Sequence, residues 1–506
     1  MVDRDQEQEL EWERGAQPTV LEHGVAFPDP PFLPGTTKIT IARDDEFQLR
    51  LEGEGVLSDL GEFRRRRDTE KTIRVGSLIE PVEVEFSAPS SRCFLRAHVA
   101  RVPNLEMRAG ERARFSLSGS AIRFRRVWET KFAVGEGEDD EPTIVPVGPE
   151  AWRSDWFING PHSAVYWRGT KRRRHAVFTR ERNVPVGNVR LQEWPTGGQS
   201  NFDHLGVDSA DARFAFCEVP NGFGPRWSHP VSIEFPAPVP GATQRQAVAE
   251  IVSFVVGRRL MQVGSSVFDD AGAVIESEIV NPWGQGVRRL CDRGDSSPFA
   301  YGQPSDDVEK LLALLVPRYI AARAQFGLED ALLTYWLANE SFVLVDLALY
   351  SSAVESLKKG WFKSTRSKSK GEHMAERQYN EIAGGLIEQI EAALKQHSAP
   401  DAIARKVRGA YRMGGNEQLD AFFEEIGLRV GDVERAAIRA RNTPAHGGIS
   451  AGADQRKFIR LGNAYRALFE RVFLKMLQYD GGYVDRTALD HPIRHIDEPC
   501  SGDTPA

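Results

Sequence analysis

The sequence predicts an α+β protein of more than one domain: a β-rich N-terminal part followed by an all-α C-terminal bundle. Three observations carry this. A chain of 506 residues is too long for one ordinary hydrophobic core. From about Lys38 to Pro240, short alternating or β-branched runs recur between clusters of Gly, Pro, Asp and Asn. After Pro304 the apolar residues change to a helical period.

In chain order, residues 1–35 carry charges and then Pro28, Pro30, Pro31 and Pro34, the composition of a poorly ordered arm. Residues 36–300 are expected to form one large β-rich domain, a sandwich or distorted barrel with helical additions. Its strands are read at Lys38–Ala42, Thr72–Val75, Val82–Phe86, Ala164–Trp167, Gly187–Leu191, Val231–Phe235 and Ile275–Val280, with a helix at Thr243–Val252. Glu136–Glu141 reads as a solvated acidic loop, and no internal repeat is evident.

Residues 305–486 are expected to be helical. Asp306–Phe326 places Val308, Leu311, Leu312, Leu315, Val316 and Ile320 at helical spacing. Asp330–Phe362 follows as one helix or as two broken near Asn339. Ala375–Leu394, Ala402–Tyr411, Leu419–Ile426 and Asp432–Asn442 are further helices. In Gln455–Gln478, Phe458, Leu461, Tyr465, Leu468, Val472 and Met476 share one stripe. The polar, Pro-containing residues 487–506 read as a loose tail.

Composition narrows the function classes. Hydrophobic residues make up 41%, enough for proper cores. The net charge of -7 excludes a general polycation, so any nucleic-acid contact must come from a local basic patch. Cys93, Cys217, Cys291 and Cys500 are far apart and form no CxxC pair, which points to a reducing compartment. The acidic start MVDRDQEQELEWER is unlike a secretion signal, and the apolar stretch Phe342–Tyr350 is too short to span a bilayer. A cytoplasmic protein with no membrane partner is expected.

The most telling residues are Arg441-Asn442-Thr443-Pro444-Ala445-His446. Asp432 reads as the N-cap of the helix that leads to them, and Pro444 should end that helix near Asn442. In an unbroken helix Arg441 and His446 would sit roughly 140° apart. Pro444 and the following Gly447-Gly448 relax that restriction, so both side chains can converge on one pocket. Cleaving RNA without a metal uses the ribose 2′-hydroxyl as nucleophile and leaves a 2′,3′-cyclic phosphate. It requires a base, an acid, and a cation for the phosphorane charge. Arg441 suits the last role, His446 moves protons near neutral pH, and Asn442 can brace a phosphate oxygen or the imidazole. One histidine supplies one proton-transfer group, so the chemistry favours two copies sharing a composite site about a two-fold axis. The structural alternative for His446 is an ordinary surface or capping residue.

This hexapeptide matches the Arg-polar-x-x-x-His motif of HEPN ribonucleases, and the chain resembles the ApeA-like branch of that superfamily. The resemblance is carried further by Tyr350–Leu357, by Leu477–Arg486 and, loosely, by Ser253–Arg259. It implies a HEPN-type helical bundle and a metal-independent endoribonuclease with no cofactor and no metal site. It also implies a homodimer or higher homo-oligomer, and a toxin-like role in anti-phage abortive infection with RNA, possibly transfer RNA, as substrate. The β-rich half would then sense or regulate, with a phage-encoded protein as a candidate trigger. The alternative is a non-catalytic HEPN module that binds RNA, a nucleotide or a protein; a weaker third reading makes the β domain itself a glycan- or nucleotide-handling enzyme.

Around the motif, Lys358, Lys359, Trp361, Lys363 and Arg366 read as an RNA-gripping loop that joins phosphate attraction to base stacking. A solvated inter-helix loop whose Trp361 and Phe362 close the core is the equal alternative. Arg439 extends the positive field or lies on the wet face of its helix, and Glu355 is a candidate to orient Arg441 or a surface glutamate. Arg64–Arg67 and Lys171–Arg174 read as charged edges. Gly448–Gly452 fits the GxSxG pattern but lacks the entering strand, and His491, His495 and Cys500 lack a fourth ligand.

Overall fold

The computed structural model describes residues 19–21, 32–56, 82–97, 112–131, 143–161, 173–218, 229–282, 297–299, 305–441 and 455–502, apart from short breaks inside these ranges. The β-rich half and the helical half are both present, as an α+β chain requires. Contacts divide the chain into two compact units, Met1–Ser296 with Gly302–Ala313, and Ser297–Tyr301 with Leu314–Ala506.

Twelve described strands of the first unit form one antiparallel sheet. They are β1 (Thr19–Leu21), β2 (Ile39–Arg43), β3 (Leu49–Val56), β4 (Val82–Ala88), β5 (Ser91–Ala97), β6 (Arg112–Arg126), β7 (Trp152–Ile158), β8 (His204–Asp208), β9 (Arg213–Glu218), β10 (Val231–Pro236), β11 (Met261–Phe268) and β12 (Val274–Val280). Their order is β1-β2-β3-β6-β12-β11-β7-β10-β9-β8, and the β4–β5 hairpin joins through β5 to β6. The long β6 makes this branching possible, because its first half pairs with β3 and its second half with β5 and β12.

Alternation in β2 and β3 turns Ile39, Ile41, Leu49 and Leu51 inward, where Phe86, Cys93, Leu95, Phe115 and Ile122 complete one core. Phe32 enters the same core edge-on, 5.8 Å from Phe86 and 6.4 Å from Phe115. The expected disordered arm is therefore corrected in part. β1 pairs with β2, and Phe32 and Leu33 are buried. Overall polarity concealed two apolar residues that close the sheet. The expected segments Thr72–Val75, Ala164–Trp167 and Glu136–Glu141, and the run Arg64–Arg67, lie outside the described residues.

The central strands β7 and β10 are buried along their whole length. Helix α1 (Ala242–Val256) packs by its own apolar residues and closes at Gly257, whose φ of 73° lets its N–H reach the carbonyls of Ser253 and Phe254. Buried charge on β7 is fully answered. Arg153 donates to Asp155 (2.9 Å) and Ser265 (2.7 Å), with Glu276 at 3.5 Å and Glu278 at 3.6 Å, while Arg245 of α1 takes the other Asp155 oxygen at 3.0 Å.

The helices of the C-terminal half are α2 (Ser305–Phe326), α3 (Leu328–Glu340), α4 (Asp346–Lys363), α5 (Glu376–Leu394), α6 (Pro400–Arg408), α7 (Gly415–Glu425), α8 (Asp432–Ala440) and α9 (Gln455–Met476). The predicted break near Asn339 falls at Ser341–Val345, where Ser341 turns to extended backbone. Tyr335 of α3 stacks on Phe469 of α9 at 4.6 Å. Gly360 lets α4 cross the end of α2, since a Cβ there would lie 1.9 Å from the Phe326 carbonyl oxygen.

Two buried ionic groups join the elements of this half. Glu470 accepts from Arg466 (2.9 Å) and from the Tyr335 hydroxyl (2.7 Å). Arg471 and Glu434, both fully buried, form an ion pair between α9 and α8, and Arg471 also donates to the carbonyls of Arg429 and Ile496. The last contact corrects the expected loose tail. β13 (Gly482–Val484) pairs with β14 (Ile493–His495), Ile496 and Cys500 are buried, and Asp485 accepts from Thr487 and Ser501. The tail is held because its backbone satisfies a buried arginine. Among the described residues no single helix is long and apolar enough to cross a membrane.

Candidate functional site

Helix α4 supplies most of the site. Leu347, Tyr350, Ala353, Val354, Leu357 and Trp361 bury one face, which leaves Ser352, Glu355, Ser356 and Lys359 towards the other. Lys358 falls on the buried side, and its side chain, 8% exposed, reaches Glu355 Oε2 at 2.5 Å. The other Glu355 oxygen lies 3.7 Å from Nη1 of Arg441. One carboxylate thus stands between two cations.

Arg441 follows the last residue of α8. The expected N-cap Asp432 is instead the first helical residue; Gly431 is the cap, and its N–H donates to the Glu434 carboxylate at 2.7 Å. That same carboxylate holds Arg471, so the helix carrying Arg441 is locked at its start into the core. The Arg441 side chain is 14% exposed, and its Nη1 is buried with no hydrogen-bond partner among the described residues. Beneath it lies Tyr465 of α9, whose hydroxyl is buried without a well-aligned hydrogen bond. Burial raises the Tyr465 pKa, and Ser351 and Arg441 pull against that rise, which places all three in one polar group. Ser351, Tyr465, Arg441, Glu355 and Lys358 form a chain of polar side chains running out of the core.

The chain opens into a cleft of about 590 Å³ whose lining includes Ser352, Glu355, Lys359, Phe362, Lys363, Lys370 and Gln418. Lys359, Lys363 and Lys370 are exposed, and no ion pair holds them among the described residues. Residues 364–371 are pinned rather than freely solvated. The Glu425 carboxylate accepts from Trp361 Nε1 (2.7 Å), from the backbone N–H of Ser369 (2.9 Å) and of Lys368 (3.2 Å), and from the Ser369 hydroxyl (2.6 Å). Partial burial acts to raise the Glu425 pKa, and these hydrogen bonds outweigh it, bringing it down to about 2.

The geometry sorts the residues singled out by sequence. Lys358, Lys359, Lys363 and Glu355 come together around the cleft, and Glu355 links it to Arg441. Trp361 does not offer a stacking surface: it is buried, stacked on Phe326 at 5.3 Å, because its indole N–H is engaged by Glu425. Arg366 sits over the Phe326 ring at 5.4 Å and does not line the cleft, nor does Arg439, exposed on α8. Asn442 and His446 lie outside the described residues, as does Gly448–Gly452. Cys500 is buried against the Tyr483 hydroxyl, away from the metal grouping first considered. His495 pairs instead with Asp480 (3.3 Å) and Asp497 (3.5 Å), and Asp497 is also engaged by Lys475.

Sequence reasoning missed Tyr465, Ser351 and Gln418 as neighbours of the site. A tyrosine in an apolar stripe was a usable signal, because a buried phenol hydroxyl seeks a polar partner. Compared with family models, curated proteins and solved structures, the chain finds no match.

Proposed function

We propose that this protein is a metal-independent endoribonuclease of the HEPN type, acting as a toxin-like anti-phage effector that cleaves host RNA. The observation that carries the reading is the placement of Arg441. Its guanidinium, with a buried Nη1 lacking a hydrogen bond among the described residues, adjoins a cleft lined by four lysines and a single carboxylate. Such a cleft attracts a polyanion although the chain as a whole is acidic.

In this mechanism the lysines hold the phosphodiester backbone and Arg441 meets the non-bridging oxygens of the scissile phosphate. As the 2′-hydroxyl attacks phosphorus, its proton passes to a base and the departing 5′-oxygen takes one from an acid. His446 of two copies would fill these roles, with Asn442 bracing one of them. Glu355 and Tyr465 keep the guanidinium aimed without contacting RNA.

The test is end-group analysis of RNA from cells expressing the protein, and of RNA treated with purified protein in the presence of a chelator. Cyclic phosphate ends are expected with the wild type and absent with Arg441→Ala or His446→Ala, both folded, with a loss of at least about 100-fold in rate. Undiminished cleavage by either variant removes the nuclease reading. RNA that is bound but left intact, even with a phage trigger present, makes the helical half a binding module.

A further inference from the structure

The side of α4 that faces the cleft carries one aromatic ring among its charges. Glu355, Lys359, Phe362 and Lys363 recur at i, i+4, i+7 and i+8, so they share one stripe of the helix. Phe362 keeps part of its ring exposed to the cleft, whereas its neighbour Trp361 is buried. An edge contact with Phe422, 6.3 Å at 65°, holds the Phe362 ring in place.

Gln418 of α7 stands beside that ring. A Cβ at Gly371 would lie 3.5 Å from Phe362 Cδ2 and 3.5 Å from Gln418 Cδ, so ring and amide are no more than about 7 Å apart. The φ of 73° at Gly371 calls for glycine, and in consequence no side chain fills the gap. Gln418 Nε2 donates to the Met413 carbonyl at 3.0 Å, which fixes the amide. Its oxygen and its second N–H make no hydrogen bond among the described residues. Gly415, one turn earlier on α7, abuts the cation of the site: a Cβ there would lie 3.7 Å from Arg441 Nη2. Gln418 is therefore only about 4.5 Å further along the helix axis.

We propose that the cleft takes single-stranded RNA with an unpaired adenine beside the scissile phosphate, its face on Phe362 and its edge read by Gln418. This rests on the nuclease reading for RNA as the ligand and adds which strand and which base. A base inside a duplex has no free face to lay on a ring, whereas a single strand does. A base lying ~3.5 Å above the Phe362 ring brings its edge towards the amide. An amide fixed by one hydrogen bond presents an acceptor and a donor, which matches N6–H and N7 of adenine; guanine shows two acceptors on that edge. Lys359 and Lys363, which bracket Phe362 on α4, are placed for the flanking phosphates.

Binding of short 2′-fluoro oligonucleotides to the full chain tests this without cleavage, because fluorine cannot attack phosphorus. Oligoadenylate should bind at least about fivefold tighter than oligouridylate, and at least about fivefold tighter than the same strand in a duplex. Phe362→Leu should remove the single-strand advantage and leave the salt slope unchanged, and Phe362→Tyr should keep the advantage. Gln418→Met should bring oligoadenylate and oligouridylate to within about twofold of each other. A wild type that binds the two equally overturns the proposal, and so does a folded Phe362→Leu that binds as the wild type does. Where Phe362→Leu does not fold, Gln418→Met decides, since an undiminished adenine preference in that variant also overturns it. Cleavage that survives Arg441→Ala would sink the nuclease and leave this base site standing. Arg441-dependent cleavage by a protein indifferent to adenine and to Phe362 would do the reverse.

Discussion

The β sheet and the α4 cleft treat positive charge in opposite ways. On β7, Arg153 is 9% exposed and every direction around it holds an acceptor: Asp155, Ser265, Glu276 and Glu278. At the end of α4, four lysines and Arg441 gather around Glu355 alone. Burying a charge is costly unless a partner meets it, so the first arrangement belongs to the fold. Leaving like charges together has no folding benefit, and the second arrangement is the one we propose for a ligand. Raw counts of arginine and lysine do not separate the two; the compensation does.

The comparison breaks first, and by the largest amount, if Arg153 is not structural. Replacing it with alanine leaves the buried Asp155 with Arg245 as its remaining cation, while Glu276 and Glu278 keep only the more exposed Arg123 and Arg125. The expected loss is about 3–5 kcal/mol of unfolding free energy by urea titration. A loss under about 1 kcal/mol would mean that water already solvates the cluster.

The cleft should respond the other way. The triple substitution Lys359→Gln, Lys363→Gln, Lys370→Gln removes exposed charges that make no ion pair among the described residues, and stability should change by less than about 0.5 kcal/mol. Binding of single-stranded RNA should weaken, and the slope of log affinity against log salt should fall by about 2, three contacts at ~0.7 each. An unchanged slope would place RNA elsewhere on the molecule.

How far such distinctions are visible in sequence depends on the element. The helical half was largely legible because each helix carries its own apolar period. α5 and α9 start or end within two residues of expectation, and α8 starts at the expected Asp432. Arg441 was legible as a helix-end cation. Most partners of Arg153 were not, since Ser265, Glu276 and Glu278 come from strands more than a hundred residues away, and a polar alternation such as Glu276 and Glu278 looks the same whether the face is wet or buried. Trp361 was left open between base stacking and closing the core for a related reason. Flanked by lysines it looks like a stacking platform, yet the feature that decides its direction is Glu425, sixty-four residues on. Long-range pairing has no local signature, and at both places a carboxylate supplied from elsewhere set the outcome.

Glu425 gives the sharpest discrimination, because it is a structural carboxylate that holds the loop carrying Lys370. Its hydrogen bonds to Trp361, Lys368 and Ser369 lower its pKa from 4.5 to about 2. A folded carboxyl with a depressed pKa contributes stability that is fully present above the unfolded value and is lost as pH falls through the folded one. Order in residues 364–371 should therefore hold above pH 4.5 and fade as pH falls towards about 2, seen as lost amide protection at Lys368 and Ser369. Glu425→Gln should abolish most of that acid dependence and cost about 1 kcal/mol at neutral pH, the modest size reflecting a half-exposed carboxylate. If the loop stays protected in this variant, Lys370 is held in the cleft by some other contact. If RNA affinity falls together with protection, Glu425 positions the lysine loop for its ligand while never touching it.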